Sequence, residues 1–544
     1  MDYDVTIIGG SLAGSSTAIL LLKENPKLRV LVVESSPGFT RRVGEATVEV
    51  GAYFLGRVLG LTDFLNHTQL LKQGLRFWYA NEKTASLDEA SELGPRYLPR
   101  LPSYQIDRSV LDEEVLRRAG GAGAEIRRPA RVTGVALASG GPQIVTVVDG
   151  DNTETIRSRW VVDASGVASL LPRQEGWWQT NTAHPTAAAW GRWTGVKPWD
   201  SSELADQHPD WAAAAYGIRG TATNHVVGDG WWSWWIPLQG GDVSIGIVLD
   251  TRLVEWPREG GSIGDRMKTF LMQHPVAREL LADAQWIEKD VHWRRHLSYT
   301  STTCAGDGFV VVGDAAAFMD PLYSPGIDGI AFTTVGAVEV ITGHRTRRPL
   351  GDRVERYNRL VPQSYQRWFE ALYQDKYHYL AEYDLMKIAF LLDLGLYYVG
   401  VVAKPFKLGR DAFLTPPFTD RASRSAYHLM RFYNRRFARI ASHRRQLKQL
   451  GRMNHGHQCL IKSYTLARSE ILRLILPLLQ WGLLEIKEGW RSWGKDVESN
   501  PELAIASERD RVTMQNEEKL TRSRAAASSA HDNLTGEATV AEKF

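Results

Sequence analysis

A glycine-rich turn between two apolar runs near the start of the chain constrains the fold more than any other feature. The run VTII at 5–8 has the composition of a short buried strand, and a helical pattern at 13–24 leads into a second apolar run at 28–33. Strand, glycine turn, helix and strand within about thirty residues form a βαβ unit. The sequence therefore predicts a parallel sheet built on this segment.

The turn has the spacing of the dinucleotide-binding fingerprint G-x-G-x-x-G, with Ser11 at the middle glycine position. The fingerprint allows a tight turn, close approach of the pyrophosphate and close packing of helix on strand. The helix N-terminus offers N–H groups and a positive dipole end to phosphates. Glu34 lies twenty residues after Gly14 (34 − 14 = 20), where an acid accepts ribose hydroxyls. The predicted binding residues are Gly9, Gly10, Ser11, Ala13, Gly14 and Glu34.

Three later motifs indicate which dinucleotide binds. They are VVDASG at 161–166, GDAA at 313–316, and Arg108 in the run DRSVL. Together with the glycine turn they resemble the group A flavoprotein monooxygenase superfamily over residues 1 to about 340. The resemblance implies an α/β fold: a Rossmann-type FAD-binding domain of the p-hydroxybenzoate hydroxylase type, a β-sheet substrate domain and a mainly helical C-terminal region. It also implies that FAD is contacted by Arg108, Asp163 and Asp314.

Four tryptophans occur in the run WWSWWIP at 231–237. Alternation with period two predicts that Trp232 and Trp234 lie on one face of a strand as an apolar wall. Trp232-x-Trp234-x-Ile236-Pro237 resembles the W-x-W-x-I-P signature of the flavin-dependent halogenases. In that family the wall separates flavin from organic substrate, so that a hydroperoxyflavin meets halide, and the resemblance implies a catalytic role for these four residues. The alternative is an aromatic-rich core strand.

A lysine segment carries a second resemblance to the halogenases. GEAT at 44–47 resembles a segment of that family that follows the second strand, which implies flavin contacts at Ala46 and Thr47. KQGLRF at 72–77 resembles the family's K-x-G-x-x-F, which implies that Lys72 holds hypohalous acid or captures it as a haloamine. A nearby apolar wall disfavours the charged amine and lowers its pKa. The alternative is an ordinary surface lysine.

The chain departs from the family pattern after the GD motif, where it reads DPLYSPGI at 320–327. The resemblance implies a halide site at Ser324 and Gly326, and flavin contacts at Gly326 and Ile327. Pro325 stands where the halogenases carry a serine or threonine whose N–H binds halide, and proline has no N–H. Tyr323 stands where tryptophan halogenases carry a catalytic glutamate, which favours the phenol- or pyrrole-halogenating branch.

Composition changes along the chain predict its organisation. The motifs define an FAD- and substrate-binding module at 1–345, and helical spacing of Arg, Leu and aromatic residues predicts a mainly helical region at 346–500. Residues 501–544 are polar without apolar periodicity, which predicts a flexible tail. The apolar run at 388–403 contains Asp393 and is shorter than the roughly twenty residues that a bilayer requires. It is predicted to be a core helix or one lying at a surface.

The segment 401–460 carries thirteen Lys and Arg against two Asp, a local charge of +11 (13 − 2) in a chain of net charge +3. One interpretation is a solvated helical surface. The other is a docking face for an acidic partner, either a phosphopantetheinyl carrier protein or an anionic membrane surface. The small overall charge does not favour nucleic acid as a partner.

These observations predict halogenation of an electron-rich aromatic ring, using FADH2 and oxygen with chloride or bromide as co-substrate. The ring is of the phenol, pyrrole or polyketide type, free or carrier-bound. A separate flavin reductase is expected, because the sequence contains no second dinucleotide loop. The alternatives are an FAD-dependent monooxygenase or dehydrogenase that has lost halide binding at Pro325, and a non-catalytic FAD-bearing interaction protein.

Cysteine usage and the first residues of the chain bear on location and metal content. Cys304 and Cys459 are far apart and form no CxxC, so no thiolate metal site is expected and a reducing compartment fits. The sequence begins without a basic region followed by an apolar run, so a secretory signal is not expected. The predicted location is cytoplasmic, with or without peripheral attachment to a membrane.

Overall fold

A computed structural model describes residues 1–215 and 217–497, so the predicted tail at 501–544 lies outside the described residues. Within that part of the chain the strands are β1 Tyr3–Ile8, β2 Val30–Val33, β3 Leu70–Leu71, β4 Leu75–Tyr79, β5 Ser91–Pro95, β6 Tyr104–Gln105, β7 Glu125–Arg127, β8 Arg131–Ala136, β9 Gln143–Asp149, β10 Asn152–Asp163, β11 Trp178–Thr180, β12 Thr186–Thr194, β13 Thr223–Gly228, β14 Trp231–Pro237, β15 Val243–Asp250, β16 Gln285–Arg295, β17 Tyr299–Ser301, β18 Ala305–Gly306, β19 Phe309–Val311, β20 Ala317–Phe318 and β21 Gln458–Ile461. The helices are α1 Leu12–Glu24, α2 Glu49–Tyr53, α3 Thr62–Thr68, α4 Arg108–Gly121, α5 Leu170–Gln174, α6 Ser202–Gln207, α7 Pro209–Ala214, α8 Ile263–Leu271, α9 Pro275–Leu280, α10 Gly326–Thr342, α11 Leu350–Leu372, α12 Tyr383–Tyr397, α13 Ala403–Leu408, α14 Arg421–Gln446 and α15 Ile475–Lys487.

The first sheet is built around the strand that precedes the glycine turn. Its order is β18-β19-β10-β1-β2-β7, and the pairs from β19 to β7 are parallel. All four residues of β2 and the last four of β1 are buried, as expected of a sheet covered on both faces. Helix α1 begins directly after the turn, so the predicted βαβ unit and the α/β class are confirmed.

The second sheet carries the tryptophan run near its centre. Its order is β16-β12-β15-β14-β13-β4-β5-β21, and β14 pairs antiparallel with both of its neighbours. The last strand, β21, comes from the C-terminal region and pairs parallel with β5. The mainly helical region beyond 345 therefore also supplies the edge strand of the sheet that contains Trp232 and Trp234.

The apolar run predicted as a core or surface helix lies within a long helical segment, Tyr383–Leu414. By length and composition alone this segment could cross a membrane, but 61% of its most apolar window is buried inside the protein. Asp393 in α12 pairs with the buried Lys376 at 2.8 Å. The prediction of a core helix is therefore confirmed.

Ion pairs neutralise seven of the thirteen cations of the basic segment at 401–460. They pair Lys404 with Asp420, Arg410 with Glu24, Arg431 with Glu370, Arg436 with Glu485, Arg445 with Asp229, Arg452 with Glu488, and Arg444 with Glu382, Asp384 and Glu488. Only Asp420 of these acids lies inside the segment. The local charge of +11 counted along the sequence therefore overstates the charge of the folded surface.

Candidate active site

The glycine turn is packed too tightly for side chains. A Cβ at Gly9 would lie 2.6 Å from the carbonyl oxygen of Ala164, and Gly9 has a φ of +94°. A Cβ at Gly14 would overlap the carbonyl oxygen of Gly9. The Gly10 N–H donates to the Glu34 carboxylate at 2.7 Å, which holds that acid against the turn. This cradle at the N-terminus of α1 fits a pyrophosphate with its ribose beside Glu34.

A cavity of about 250 Å³ brings the later motifs together. Its lining includes Ala46, Arg108, Trp232, Asp314, Gly326 and Ile327. These residues are spread over more than half of the chain. The fold brings them together around one cavity, as expected of the predicted flavin site. Gly313 of this lining packs against Ala13 at the start of α1, where a Cβ at Gly313 would lie 3.1 Å from the Ala13 Cβ. The cavity therefore adjoins the glycine turn, which fits an FAD molecule, and we call it the flavin cavity after the cofactor predicted to occupy it.

The two acids predicted to contact FAD, Asp314 and Asp163, differ in their surroundings. Burial raises the pKa of the Asp314 carboxyl, and the Arg108 guanidinium opposes that rise. Asp314 lines the cavity. Asp163 instead accepts the backbone N–H groups of Ser165 at 2.9 Å and Leu171 at 2.7 Å. The Asp163 carboxylate therefore shapes its own loop.

The predicted tryptophan wall occupies one face of β14. The ring centroids of Trp232 and Trp234 lie 5.9 Å apart, and both rings line the flavin cavity together with Ile236. The Trp232 indole donates to the Tyr377 hydroxyl at 2.8 Å, and that hydroxyl donates to Asp320 at 2.8 Å. Pro237 ends the strand. Hydrogen bonding thus fixes the first tryptophan of the wall.

Lys72 lies in a separate cavity of about 130 Å³. Its side chain is buried, and Nζ donates to the Thr47 carbonyl at 2.8 Å. Burial lowers the pKa of Lys72 to about 8, although Glu49 and Asp328 oppose the shift. Thr47 therefore holds the lysine, whereas its neighbour Ala46 lines the flavin cavity.

An aromatic layer lies between the two cavities. Phe77 stacks on His225 with centroids 4.6 Å apart, and His225 lines the flavin cavity beside Trp232. On its other side Phe77 meets Tyr323 and Phe390, which line the Lys72 cavity. The two tryptophans line only the flavin side, so the separating layer is thicker than the sequence signature suggested.

Like Trp368 of α11, Pro325 lines both cavities. It precedes α10, and the residues before it, Tyr323 and Ser324, have φ values of 68° and 57°. Two successive non-glycine residues in this region store conformational strain, which is common at functional sites. The first N–H groups of a helix have no intrahelical acceptor, so Gly326 and Ile327 offer anion donors although Pro325 cannot.

The Lys72 cavity contains acids that the sequence motifs did not single out. Asp328 accepts the Tyr397 hydroxyl at 3.0 Å, and burial raises the pKa of Asp328 to about 8. Glu49 accepts the Tyr398 hydroxyl at 2.6 Å. Both acids lie close to recognised motifs: Glu49 follows GEAT by two residues, and Asp328 follows Ile327 by one. Their closeness to these motifs could have indicated them from the sequence, but their tyrosine partners come from the distant helical region and could not be predicted.

Comparison with protein families gives two matches. Residues 98–382 match the family described as tryptophan halogenase, which is just over half of the chain. Residues 4–184 match the family described as lycopene cyclase protein. The second match covers the glycine turn and most of the first sheet.

Curated relatives are halogenases by name. Over 348 residues the chain is 29% identical to sulochrin halogenase gedL of Aspergillus terreus (strain NIH 2624 / FGSC A1156), covering 59% of this chain and 60% of that protein. Over 396 residues it is 28% identical to the flavin-dependent halogenase chlA of Dictyostelium discoideum, covering 66% and 63%. The chain thus spans about three fifths of the length of these relatives.

Solved structures share the fold. The halogenase PltM superposes with a TM-score of 0.67 at 19% identity, covering 84% of this chain and 94% of that one. The flavin-dependent brominase Bmp2 superposes with a TM-score of 0.61 at 22% identity, covering 79% and 98%. At these identities the likeness concerns the fold alone.

Proposed function

The chain belongs to the tryptophan halogenase family, whose cofactor is FAD, and we propose that it halogenates an electron-rich aromatic ring with FADH2, oxygen and a halide. The observation that carries the proposal is the burial of Lys72 in a cavity of its own, separated from the flavin cavity by aromatic side chains. When bound and reduced, FAD supplies the electrons that activate oxygen. The protein keeps the organic ring on the Lys72 side of the layer.

The chemistry that we assign to Lys72 begins with its neutral amine. Nζ attacks the halogen of hypohalous acid, so that an N–X bond forms, the O–X bond breaks and water leaves with one amine proton. The ring then takes the halogen: a C–X bond forms as the N–X bond breaks. Asp328 lines the same cavity and is placed to accept the ring proton and return it to Nζ.

The substrate that fits this arrangement is a phenol, a pyrrole or a phenolic polyketide. The cavity wall is mostly apolar and aromatic, including Tyr373, Phe390 and Tyr397, which suits a flat ring. Tyr323 donates to Asp393 at 3.1 Å, so it is held in place at the position where tryptophan halogenases carry a catalytic glutamate. An activated ring needs no additional carboxylate there.

The halide site is the weakest part of the arrangement, and it motivates the rival function. We propose that the N–H groups of Gly326 and Ile327, at the start of α10, hold the halide, helped by the helix dipole. If these donors are too few, the enzyme is an FAD-dependent monooxygenase or dehydrogenase on the same scaffold. Turnover of any substrate excludes the non-catalytic alternative.

A flavin reductase is the partner that this proposal requires. Partners at the basic segment 401–460 have less support than the sequence suggested, because seven of its cations are already paired. Arg436 and Arg444 in particular are buried and hold acids of the same protein. We therefore do not extend the proposal to a carrier protein or an anionic membrane at that segment.

The test is a reaction with FAD, a flavin reductase, NADH, oxygen and either bromide or chloride, using phenolic probes. Mass spectra with the isotope pattern of bromine or chlorine in the product support the proposal. A product heavier by one oxygen atom, with no halogenated product, identifies the monooxygenase. A product lighter by two hydrogen atoms identifies the dehydrogenase.

Replacing Pro325 with serine should lower the KM for halide by about ten-fold, because it adds an N–H to the halide site, and a hydrogen bond to an ion contributes about 1.5 kcal/mol or more. The backbone tolerates the change, since φ is −79° at this position and serine favours helix N-caps. Gly326→Ala is the matched control: it keeps the N–H, and its Cβ meets no atom within 4 Å. An unchanged KM in the serine variant would remove Pro325 from the halide site.

The rate of halogenation at saturating flavin should rise with pH and level off above about 8. Lys72 is protonated below its pKa of about 8 and neutral above it, and the Asp328 carboxyl also loses its proton near pH 8. Both groups act in their deprotonated forms in the proposed steps. Single-turnover rates with pre-reduced FAD measure this directly. A rate that falls through pH 8 would mean that the ammonium form hydrogen-bonds hypohalous acid instead.

A further inference from the structure

The C-terminal end of the described chain carries an apolar face that nothing in the described residues covers. One side of α15 packs through Trp481 onto Phe437 and Tyr433 of α14. On the opposite side of α15 and in the short 3-10 turns that flank it, six large apolar residues are each at least 60% exposed. They are Leu472, Leu476, Leu479, Leu483, Ile486 and Trp490, and we call them the apolar face.

The spacing of the apolar face shows that it is a continuous stripe. Its members follow one another at alternating intervals of four and three residues, which places Leu476, Leu479, Leu483 and Ile486 on one side of α15. Leu472 lies in the 3-10 turn before α15 and Trp490 in the 3-10 turn after it. Trp493 is also exposed but does not belong to the stripe, because its indole donates to Glu485 and contacts Arg436 on the side of α15 that faces α14. Scattered exposed leucines need no explanation, but a contiguous stripe of this kind marks an interaction surface.

Charges around the apolar face are mostly positive. Between 462 and 496 the exposed charged residues are the cations Lys462, Arg468, Lys487, Arg491 and Lys495 and one acid, Asp496. The three other acids of the same stretch are partly buried and engaged: Glu470 with Arg473, Glu485 with Arg436, and Glu488 with Arg444. The face is therefore apolar at its centre and cationic at its rim.

We propose that the apolar face is a membrane-interface surface that lies in the headgroup region of an anionic lipid bilayer. An amphipathic helix with leucines and tryptophan on one side and exposed cations beside them has the pattern of in-plane membrane helices. Charge complementarity favours anionic lipid over a second copy, because two copies would bring the same cationic rims together. Residues 498–544 contain no apolar run that matches the stripe in length.

Hydrogen bonds connect the segment that carries the apolar face to the lining of the Lys72 cavity. Lys462 is the exposed member of the cavity lining, and Ser463 is its neighbour there. Arg473, two residues before α15, donates to the carbonyl of Ser463 at 3.1 Å and to that of Lys462 at 2.6 Å. The exposed Leu98 is tied to the same place, because Ser463 donates to its carbonyl at 2.8 Å.

Docking through the apolar face would set the cavity mouth against the bilayer. A lipophilic aromatic substrate could then pass from the membrane to Lys72 without crossing bulk water. This consequence rests on the proposed function, whereas the docking itself does not. The two are separable because vesicle binding is measured without turnover.

Co-sedimentation of the full chain with vesicles tests the docking. We expect binding to phosphatidylcholine vesicles that contain phosphatidylserine, weakening as salt rises. Leu479→Glu/Leu483→Glu should reduce the partition coefficient at least about ten-fold, because two charges enter the interface. Leu408→Glu/Leu447→Glu, at exposed leucines outside the face, should leave it unchanged.

Three outcomes overturn the proposal. They are no binding to anionic vesicles, binding that the Leu479→Glu/Leu483→Glu variant retains, and a self-association in sedimentation velocity that this variant abolishes while vesicles remain unbound. The last outcome would assign the apolar face to a second copy of the chain. Thermal unfolding of each variant checks that the substitutions, all at exposed positions, leave the fold intact.

Discussion

Replacing Lys72 with methionine should reduce halogenation about a hundred-fold or more while leaving FAD bound and oxidised at the normal rate. Methionine keeps most of the volume of the buried side chain but has no amine to carry the halogen. Lys72 does not line the flavin cavity, so the reaction of reduced flavin with oxygen should continue. Hypohalous acid would then escape, and a scavenging probe in solution would detect it.

The control for this substitution is Lys462→Met, at the exposed mouth of the same cavity. It removes an amine from the cavity lining without touching the buried Nζ, and it should change the rate by less than a factor of about three. Lys72→Met also leaves the Thr47 carbonyl without its donor, so unfolding must be measured in parallel. Halogenation at the normal rate in a folded Lys72→Met enzyme would exclude this lysine as the carrier.

Replacing Arg444 with methionine should lower the free energy of unfolding by about 3–5 kcal/mol, because it leaves the buried Glu382 and the partly buried Asp384 without their ion-pair partner. The guanidinium is 1% exposed and contacts Glu382 at 2.6 Å, Asp384 at 2.7 Å and Glu488 at 2.6 Å. These acids lie just before α12, at its start, and just after α15. A single side chain therefore joins three segments of the helical region.

Arg452→Met is the matched control, since Arg452 contacts the same Glu488 at 2.6 Å but its side chain is 38% exposed. An exposed pair contributes less than about 1 kcal/mol, so this variant should unfold almost normally. Urea titration followed by circular dichroism measures both. Equal losses in the two variants would contradict the account, which assigns the difference to burial.

Lowering the pH should reduce the difference in free energy of unfolding between wild type and Arg444→Met. The pKa of Glu488 is lowered in the folded protein despite its burial, because Arg444 donates to it. A carboxyl with a lowered pKa stabilises the fold at neutral pH, and this stability is lost as pH falls and the group takes up a proton. The variant has little of that stability to lose, so its unfolding should depend less on pH below about 5.

The first sheet and the cofactor turn could be predicted from the sequence because their signals are local. The apolar runs, the glycine spacing and Glu34 lie within thirty residues. Each of these signals can be recognised without knowing any contact from elsewhere in the chain. Trp232 and Trp234 are similar, since strand geometry alone puts alternate residues on one face. The thickness of the aromatic layer behind them could not be predicted, because it depends on Phe77, which the second sheet brings in from β4.

The Lys72 site was only partly accessible to sequence reasoning. The motif located the lysine, but its burial depends on helices more than three hundred residues away, which contribute Tyr397 and Tyr398. Asp328 and Glu49 had no motif of their own. Their roles depend on facing the same cavity, and that is a property of packing rather than of spacing.

For the basic segment at 401–460, the sequence overstated a feature that the folded structure reduces. Counting charges along 401–460 suggested a strongly cationic surface, but most of the acids that pair with it are distant in sequence, such as Glu24 with Arg410 and Asp229 with Arg445. The apolar face beyond it was the less conspicuous feature. Its leucines lie in the region predicted only as mainly helical, and the structure shows that no described residue covers one side of α15.

The sequence by itself determined the dinucleotide fold and the cofactor turn, because these depend on backbone geometry within short segments, and it singled out Lys72 and the tryptophans through their resemblance to halogenase motifs. The tertiary structure alone decided that Lys72 is buried apart from the flavin, that Pro325 borders both cavities and that the basic segment is largely neutralised. Those properties depend on which distant side chains share a space. Burial and charge pairing are sums over neighbours in three dimensions, and residue spacing along the chain does not contain them.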